Sequence, residues 1–263
     1  MERLKSANHY DNFSSVFEAV CGENFHVGYY LDDDMGVEAA NEALSEQLAL
    51  SARLKAGEKV LDIGCGIGGP ARYIAKHFDV EVVGISNSER GILRAREQPL
   101  NGASFHLHDA RHLNSLVPRN FDVAWLMESS HLMEDKKSLF QDVSEITNER
   151  GRFIICDFFL KTENGTLNKS NVYKMRNIFK AFGKLKLVSA ESYIEPATIA
   201  GFSGVLIEDI SQRVLPTFDH WMNQAGSSNN ISADFEDFAT AATCLGDLFR
   251  DGVLTYNIIK GHK

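Results

Sequence analysis

Apolar residues recur along this chain at two alternating spacings, and the alternation predicts the architecture. Over 37–54, apolar or small residues fall at 40, 44, 48 and 51, one face of a helix ending near Gly57. Beyond it, short apolar runs alternate with amphipathic stretches: strand 59–63, helix 69–77, strand 80–85, helix 89–96, strand 103–107, strand 121–127, helix 135–148 and strand 152–158. Apolar strands separated by amphipathic helices predict a mainly parallel, doubly wound α/β sheet covered on both faces. Right-handed crossovers then put every post-strand loop on one sheet edge. Ligands in such sheets sit on that edge, where the strand order reverses. Residues 64–69, 86–88, 108–110 and 128–131 all fall there.

The flanks follow a looser pattern. Residues 1–20 have helical points at Val16, Phe17 and Val20, and 22–36 read as an irregular aromatic and acidic segment. Asp32-Asp33-Asp34 within it reads as a solvated loop. Residues 161–190 break the alternation with Asn168, Tyr173, Met175, Phe179 and Phe182. A helix there would bury an apolar stripe and could cap a substrate pocket above the sheet edge. Gly226-Ser227-Ser228-Asn229-Asn230 reads as a loop, 232–249 as a helix and 253–259 as a last strand.

Composition narrows the function more than the fold. The 263 residues carry 44% hydrophobic and 24% charged positions, ordinary for a soluble globular chain. The net charge of −9 comes without a dense basic cluster, Lys184-Leu185-Lys186 being the nearest. A nucleic-acid partner is therefore disfavoured and a small-molecule substrate favoured. Cys21, Cys65, Cys156 and Cys244 are scattered, without zinc or redox spacing. Met1-Glu2-Arg3 leads into polar sequence, and the apolar run 153–160 is short and broken by Asp157. These features predict a cytoplasmic protein with no membrane insertion; homodimerisation stays open.

The chemistry concentrates in Val60-Leu61-Asp62-Ile63-Gly64-Cys65-Gly66-Ile67-Gly68-Gly69-Pro70: a buried strand, a carboxylate, and a glycine turn opening a helix. Gly64, Gly66 and Gly69 satisfy the G-x-G-x-x-G dinucleotide pattern. Asp62, however, would repel a diphosphate at the turn. The second strand also ends in Ser86-Asn87-Ser88, with no carboxylate for a ribose. A carboxylate beside exposed amides suits a zwitterion better, the amides meeting its carboxylate and Asp62 its ammonium. A turn that binds nothing is the plain alternative.

These residues resemble the first motif of class I S-adenosylmethionine (SAM)-dependent methyltransferases. The resemblance continues through His108-Asp109-Ala110 after the third strand, and through Phe121 to Ser129 as the fourth-strand motif. Gly151 to Asp157 resembles the fifth strand, and the stretch from Tyr193 to Ile210 the late helix and sixth strand. Asn24-Phe25-His26-Val27-Gly28-Tyr29-Tyr30 is similar to a small-molecule branch: macrolide and sugar O-methyltransferases, tocopherol methyltransferases and glycine-derivative N-methyltransferases. The resemblance implies a seven-stranded sheet whose last strand enters antiparallel. It also implies one domain over 1–263: an amino-terminal cap at 1–56, a SAM-binding core at 57–160, a lid insertion at 161–190 and a carboxy-terminal part at 191–263.

By the same resemblance, the cofactor is SAM, and Asp62, Gly64, Cys65, Gly66, Gly68, Ser86, Asn87, Asp109, Ala110, Glu128 and Tyr29 are its expected contacts. The usual ribose-side acidic or polar residue is absent. Ser86 and Asn87 must serve, or Arg90 compensates where Gly91 replaces a common glutamine. Tyr30, Tyr173, Phe179 and His131 are the expected acceptor contacts, with Tyr10 a weaker aromatic candidate. Methyl transfer needs in-line alignment and exclusion of water. His131 is the candidate general base, because an imidazole can take a hydroxyl proton during attack. Oxygen is therefore the favoured acceptor atom. An amine or activated carbon, or a non-methylating reaction such as cyclisation, is the alternative. His106, His108, Asp109 and His112 invite a metal reading, but their spacing is not that of a metallohydrolase, and no metal is expected.

Overall fold

The computed structural model describes residues 15–32, 34–115, 119–161, 167–183, 185–227 and 232–263. Tyr10, Asp33, Lys184 and most of the 226–230 loop lie outside them. Helical residues 15–21 (α1) and helix α2 (Val37–Ala52) precede the sheet. Then come β1 (Lys59–Ile63), α3 (Gly69–Phe78), β2 (Glu81–Ser86), α4 (Glu89–Glu97), β3 (Ala103–Leu107), β4 (Phe121–Met127), α5 (Lys136–Ile146) and β5 (Thr147–Leu160). They are followed by α6 (Lys169–Phe182), α7 (Ile194–Ile199), β6 (Ser203–Asp209), α8 (Ser211–Val214), α9 (Pro216–Ser227), α10 (Ala233–Arg250) and β7 (Leu254–His262).

The described strands form one seven-stranded sheet in the order β3-β2-β1-β4-β5-β7-β6. β1 pairs in parallel with both β2 and β4, while β7 enters antiparallel between β5 and β6. The chain runs outward from β1 to β3 and then returns to β4, so the order reverses between β1 and β4. The crevice beyond their carboxyl ends is where such sheets bind ligands.

Side-chain alternation splits the core between the two faces. Val123, Trp125, Ile154 and Cys156 pack on one side, and Leu126, Phe153, Ile155 and Phe159 on the other. A register shift between Phe121 and Val123 sets where that alternation starts. No described helix is long and apolar enough to cross a membrane.

Two expectations need correction. The helix expected over 135–148 stops at Ile146, and β5 begins at Thr147 rather than 152. Thr147 is β-branched, extended, and paired with Phe121, and its hydroxyl donates to Val143 O at 2.8 Å. Residues 211–225, with no expected element, fold into α8 and α9, and Gly226 and Ser227, expected in the 226–230 loop, end α9 instead. Phe218 and Trp221 are buried there at 1% and 2% exposure, and that packing, not a strong local signal, makes the helix.

Candidate active site

The glycine turn is shaped by close approach. Gly64 sits at φ 92°, and a Cβ there would lie 2.4 Å from Ser129 Cβ, so a side chain would push the tips of β1 and β4 apart. Ser129 closes this seam by donating its hydroxyl to Ile63 O at 2.5 Å. The Gly64 and Cys65 amides both donate to Ile85 O, at 2.8 and 2.9 Å, and Gly68 N–H donates to Cys65 O at 2.8 Å. The cradle is therefore narrower than the sequence suggested: those three amides serve the turn itself. Gly66 N–H has no partner among the described residues.

Asp62 lies between Gly84 of β2 and Trp125 of β4 and is 3% exposed. Its carboxylate makes no hydrogen bond or ion pair among the described residues. Burial pushes its carboxyl up to about 7. An uncompensated buried carboxylate is costly unless a cation arrives to pair with it. Beside a free amide at a glycine turn, it fits the ammonium end of an amino-acid zwitterion. SAM fits this donor set; a diphosphate does not.

The amino-terminal segment 23–30 crosses this crevice. A Cβ on Gly69 would lie 2.4 Å from Asn24 Oδ1, so the segment presses directly on the start of α3. Val27 N–H donates to Glu128 Oε1 at 2.9 Å, and Gly28 N–H to Thr217 Oγ1 of α9 at 3.0 Å. Glu128 also accepts from Tyr256 OH at 2.8 Å. Its backbone is left-handed at φ 48°, a conformation costing about 1–2 kcal/mol for a residue with a side chain. Burial pushes its carboxyl up to about 8. Glu128 thus pins the segment to the tip of β4 and to β7.

The remaining expected cofactor contacts fall along the same edge. Ser86 ends β2, its hydroxyl accepting Ser88 N–H at 3.2 Å, and Asn87 is exposed beside it. Ser88 caps α4 by accepting Gly91 N–H at 2.9 Å. Arg90 pairs with Glu18 at 3.5 Å. Asp109 is 6% exposed and takes Arg111 Nη2 at 2.8 Å, and that guanidinium holds its carboxyl down at about 2. Ala110 opens the following 3-10 turn. His108 Nε2 bonds the His112 carbonyl at 3.0 Å, and no three potential metal ligands converge among the described residues.

On the far side of β4, His131 sits in a 3-10 turn (Ser130–Leu132) and is 8% exposed. Its Nδ1 lies 2.7 Å from Asp157 Oδ1 on β5, and its backbone N–H donates to Asp157 Oδ2 at 3.0 Å. Ser130 donates its hydroxyl to Asp157 Oδ2 at 2.6 Å and contacts Tyr193 OH at 3.0 Å. Phe158 N–H adds a bond at 2.8 Å. Asp157 is fully buried, yet His131 and its other donors hold its carboxyl below the usual range against the pull of burial. A carboxylate accepting Nδ1–H fixes the imidazole tautomer and leaves Nε2 as the proton acceptor.

The aromatic candidates separate. Tyr30 is buried, and its N–H donates to Arg213 O at 2.8 Å. Tyr29 is half-buried, with the Arg213 guanidinium 5.9 Å from its ring centre. Phe179 lines a cavity of about 380 Å³ with Leu160, Met175, Leu185 and Leu187. Tyr173 does not join it: the residue is 65% exposed. Val172, Met175, Arg176 and Phe179 form the cavity-facing stripe of α6, and position 173 falls off that stripe. Nor does α6 hang free, because Lys174 and Lys180 pair with Asp251 and Asp237 of the α10 region at 2.9 and 2.7 Å.

Asp157, Ser130 and Tyr193 were not singled out by sequence. A signal for Asp157 existed: one carboxylate inside an otherwise apolar strand, which a core tolerates only when it is paired. No sequence separation links 131 to 157 or 193.

The family model described as mycolic acid cyclopropane synthetase matches residues 2–240. The 27-O-demethylrifamycin SV methyltransferase of Amycolatopsis mediterranei (strain S699) is 33% identical over 214 residues, covering 80% of this chain and 77% of its own. The solved cyclopropane synthase MmaA2 from Mycobacterium tuberculosis superposes with a TM-score of 0.88 at 19% identity, over 100% of this chain and 98% of its own. The (4+2)-cyclase SpnF superposes at 0.80 with 24% identity, over 99% and 96%. Both structural likenesses bear on the fold alone.

Proposed function

This chain belongs to the mycolic acid cyclopropane synthetase family and is a SAM-dependent methyltransferase; from that premise we propose that it methylates a hydroxyl oxygen of a small, largely apolar metabolite, with His131 as general base. The His131–Asp157 contact at 2.7 Å carries this reading. An N-methyltransferase whose amine arrives neutral needs no base. A hydroxyl needs its proton removed as it attacks. His131 Nε2 takes that proton, and Asp157 stabilises the imidazolium that results. The relative from Amycolatopsis, whose name denotes an O-methyl acceptor, supports oxygen.

SAM supplies the electrophilic methyl. Asp62 receives its ammonium, the Gly66 amide meets its carboxylate, and Gly64, Cys65 and Gly68 let the backbone come close. Ser86 and Asn87 serve the ribose side, Asp109 and Ala110 the adenine side, and Tyr29 faces the cofactor. Segment 23–30 closes over the turn and excludes water, with Glu128 as its anchor. Tyr30 and Phe179 border the acceptor. The buried thiols of Cys21, Cys65, Cys156 and Cys244, none bridged, support a cytoplasmic setting.

The test is incubation with methyl-labelled SAM and a panel of hydroxylated apolar metabolites. The expected products are a labelled methyl ether and S-adenosylhomocysteine. His131→Ala should bind SAM within about twofold of the parent and lose about 10²-fold or more in turnover. Label on nitrogen or carbon overturns the oxygen assignment, and full turnover by the variant removes His131 as the base.

A further inference from the structure

Lys136 occupies the first position of α5, directly after the capping residue Asp135, whose side chain accepts Ser138 N–H at 3.1 Å. A cation there opposes the helix dipole, so helix stability does not explain it. Its ammonium turns back instead onto the 3-10 turn that bears His131. It donates to Ser130 O at 2.6 Å and also to Met133 O. It lies 5.0 Å from the ring centre of Tyr193. Tyr193 OH meets Ser130 Oγ, which donates to Asp157, which in turn receives His131 Nδ1.

We propose that Lys136 is a positioning residue for the base, clamping the 130–133 turn on which His131 sits. This rests on His131 acting as the base. The clamp holds the two carbonyls that flank His131, so the imidazole stays where Asp157 can receive Nδ1–H. The groups facing the ammonium are Asp157 from β5 and the Tyr193 ring from the 190–193 turn. Burial draws the Lys136 ammonium down to about 8, opposed by Asp157. The clamp is therefore complete below that pH and weakens above it.

Lys136→Met and Lys136→Arg test this, read first by ¹⁵N NMR of the His131 ring, which needs no acceptor. In the parent, the neutral ring should carry its proton on Nδ1. Lys136→Met should mix the two tautomers of the neutral ring, because the clamp that holds the turn is gone. Lys136→Arg should restore most of the single tautomer. Turnover should fall about tenfold in Lys136→Met with SAM affinity unchanged. An unchanged single tautomer in Lys136→Met overturns the proposal, whatever the turnover. Altered ring behaviour with unaltered methyl transfer would leave the clamp standing and remove His131 as the base.

Discussion

The two sides of the crevice solve opposite problems. On the β1 side the site is mostly backbone: a glycine turn, the Gly66 amide, and Asp62, a buried carboxylate, and neither the amide nor the carboxylate has a partner among the described residues. On the β4–β5 side it is mostly side chains, and Asp157 takes donors from His131, Ser130 and Phe158 before any ligand arrives. Both carboxylates are buried, yet burial pushes one up to about 7 while partners hold the other below the usual range. The difference is one of completion. A group left unpaired in the free protein is completed by its ligand, and a group already paired is preorganised for chemistry.

The largest effect should come from breaking the complete side. Asp157→Asn replaces one of the acceptor atoms with a donor facing donors, so about 10²–10⁴-fold in turnover should be lost. SAM affinity measured by calorimetry should stay within about twofold. Loss of both in parallel would mean that the two sides are not separate.

Breaking the incomplete side should invert that result. With Asp62 as the proposed partner of the ammonium, Asp62→Asn should remove a charge-assisted contact worth ~1.5–3 kcal/mol, or roughly 10–150-fold in SAM affinity. The pH dependence sharpens it. The parent must release the Asp62 proton to bind, so SAM affinity should fall by up to about tenfold per unit as pH drops below about 7. In the variant that slope should flatten.

Stability should move the other way. A carboxyl raised by folding keeps its full contribution below the unfolded value of about 4 and loses it as pH climbs through about 7. Without SAM, Asp62→Asn should therefore melt several degrees above the parent at pH 8 and converge with it toward pH 5. Equal melting curves at pH 8 would contradict the unpaired state of Asp62.

Glu128 joins the two sides and should give the smallest change. Glu128→Gln keeps an acceptor for Val27 N–H and Tyr256 OH and should cost under about 1 kcal/mol in thermal unfolding. Glu128→Ala leaves both donors without a partner and should cost ~1–3 kcal/mol. Faster amide exchange at Val27 should accompany it, and unchanged exchange would mean that the segment is held elsewhere.

The alternation of apolar runs and amphipathic stretches was enough, without coordinates, to place β1 through β5 on one sheet with their loops along one edge, because period and burial are local properties of the chain. The Asp62–Gly69 turn was legible for the same reason: carboxylate, glycines and helix start are contiguous. Tertiary structure alone decided what depended on distant residues. It spent the Gly64 and Cys65 amides on Ile85, turned Tyr173 outward, folded 216–227 around Phe218 and Trp221, and brought Asp157, Ser130 and Tyr193 to His131. Hydrogen bonds and burial between strands depend on register and crossover, and no spacing within one strand encodes them.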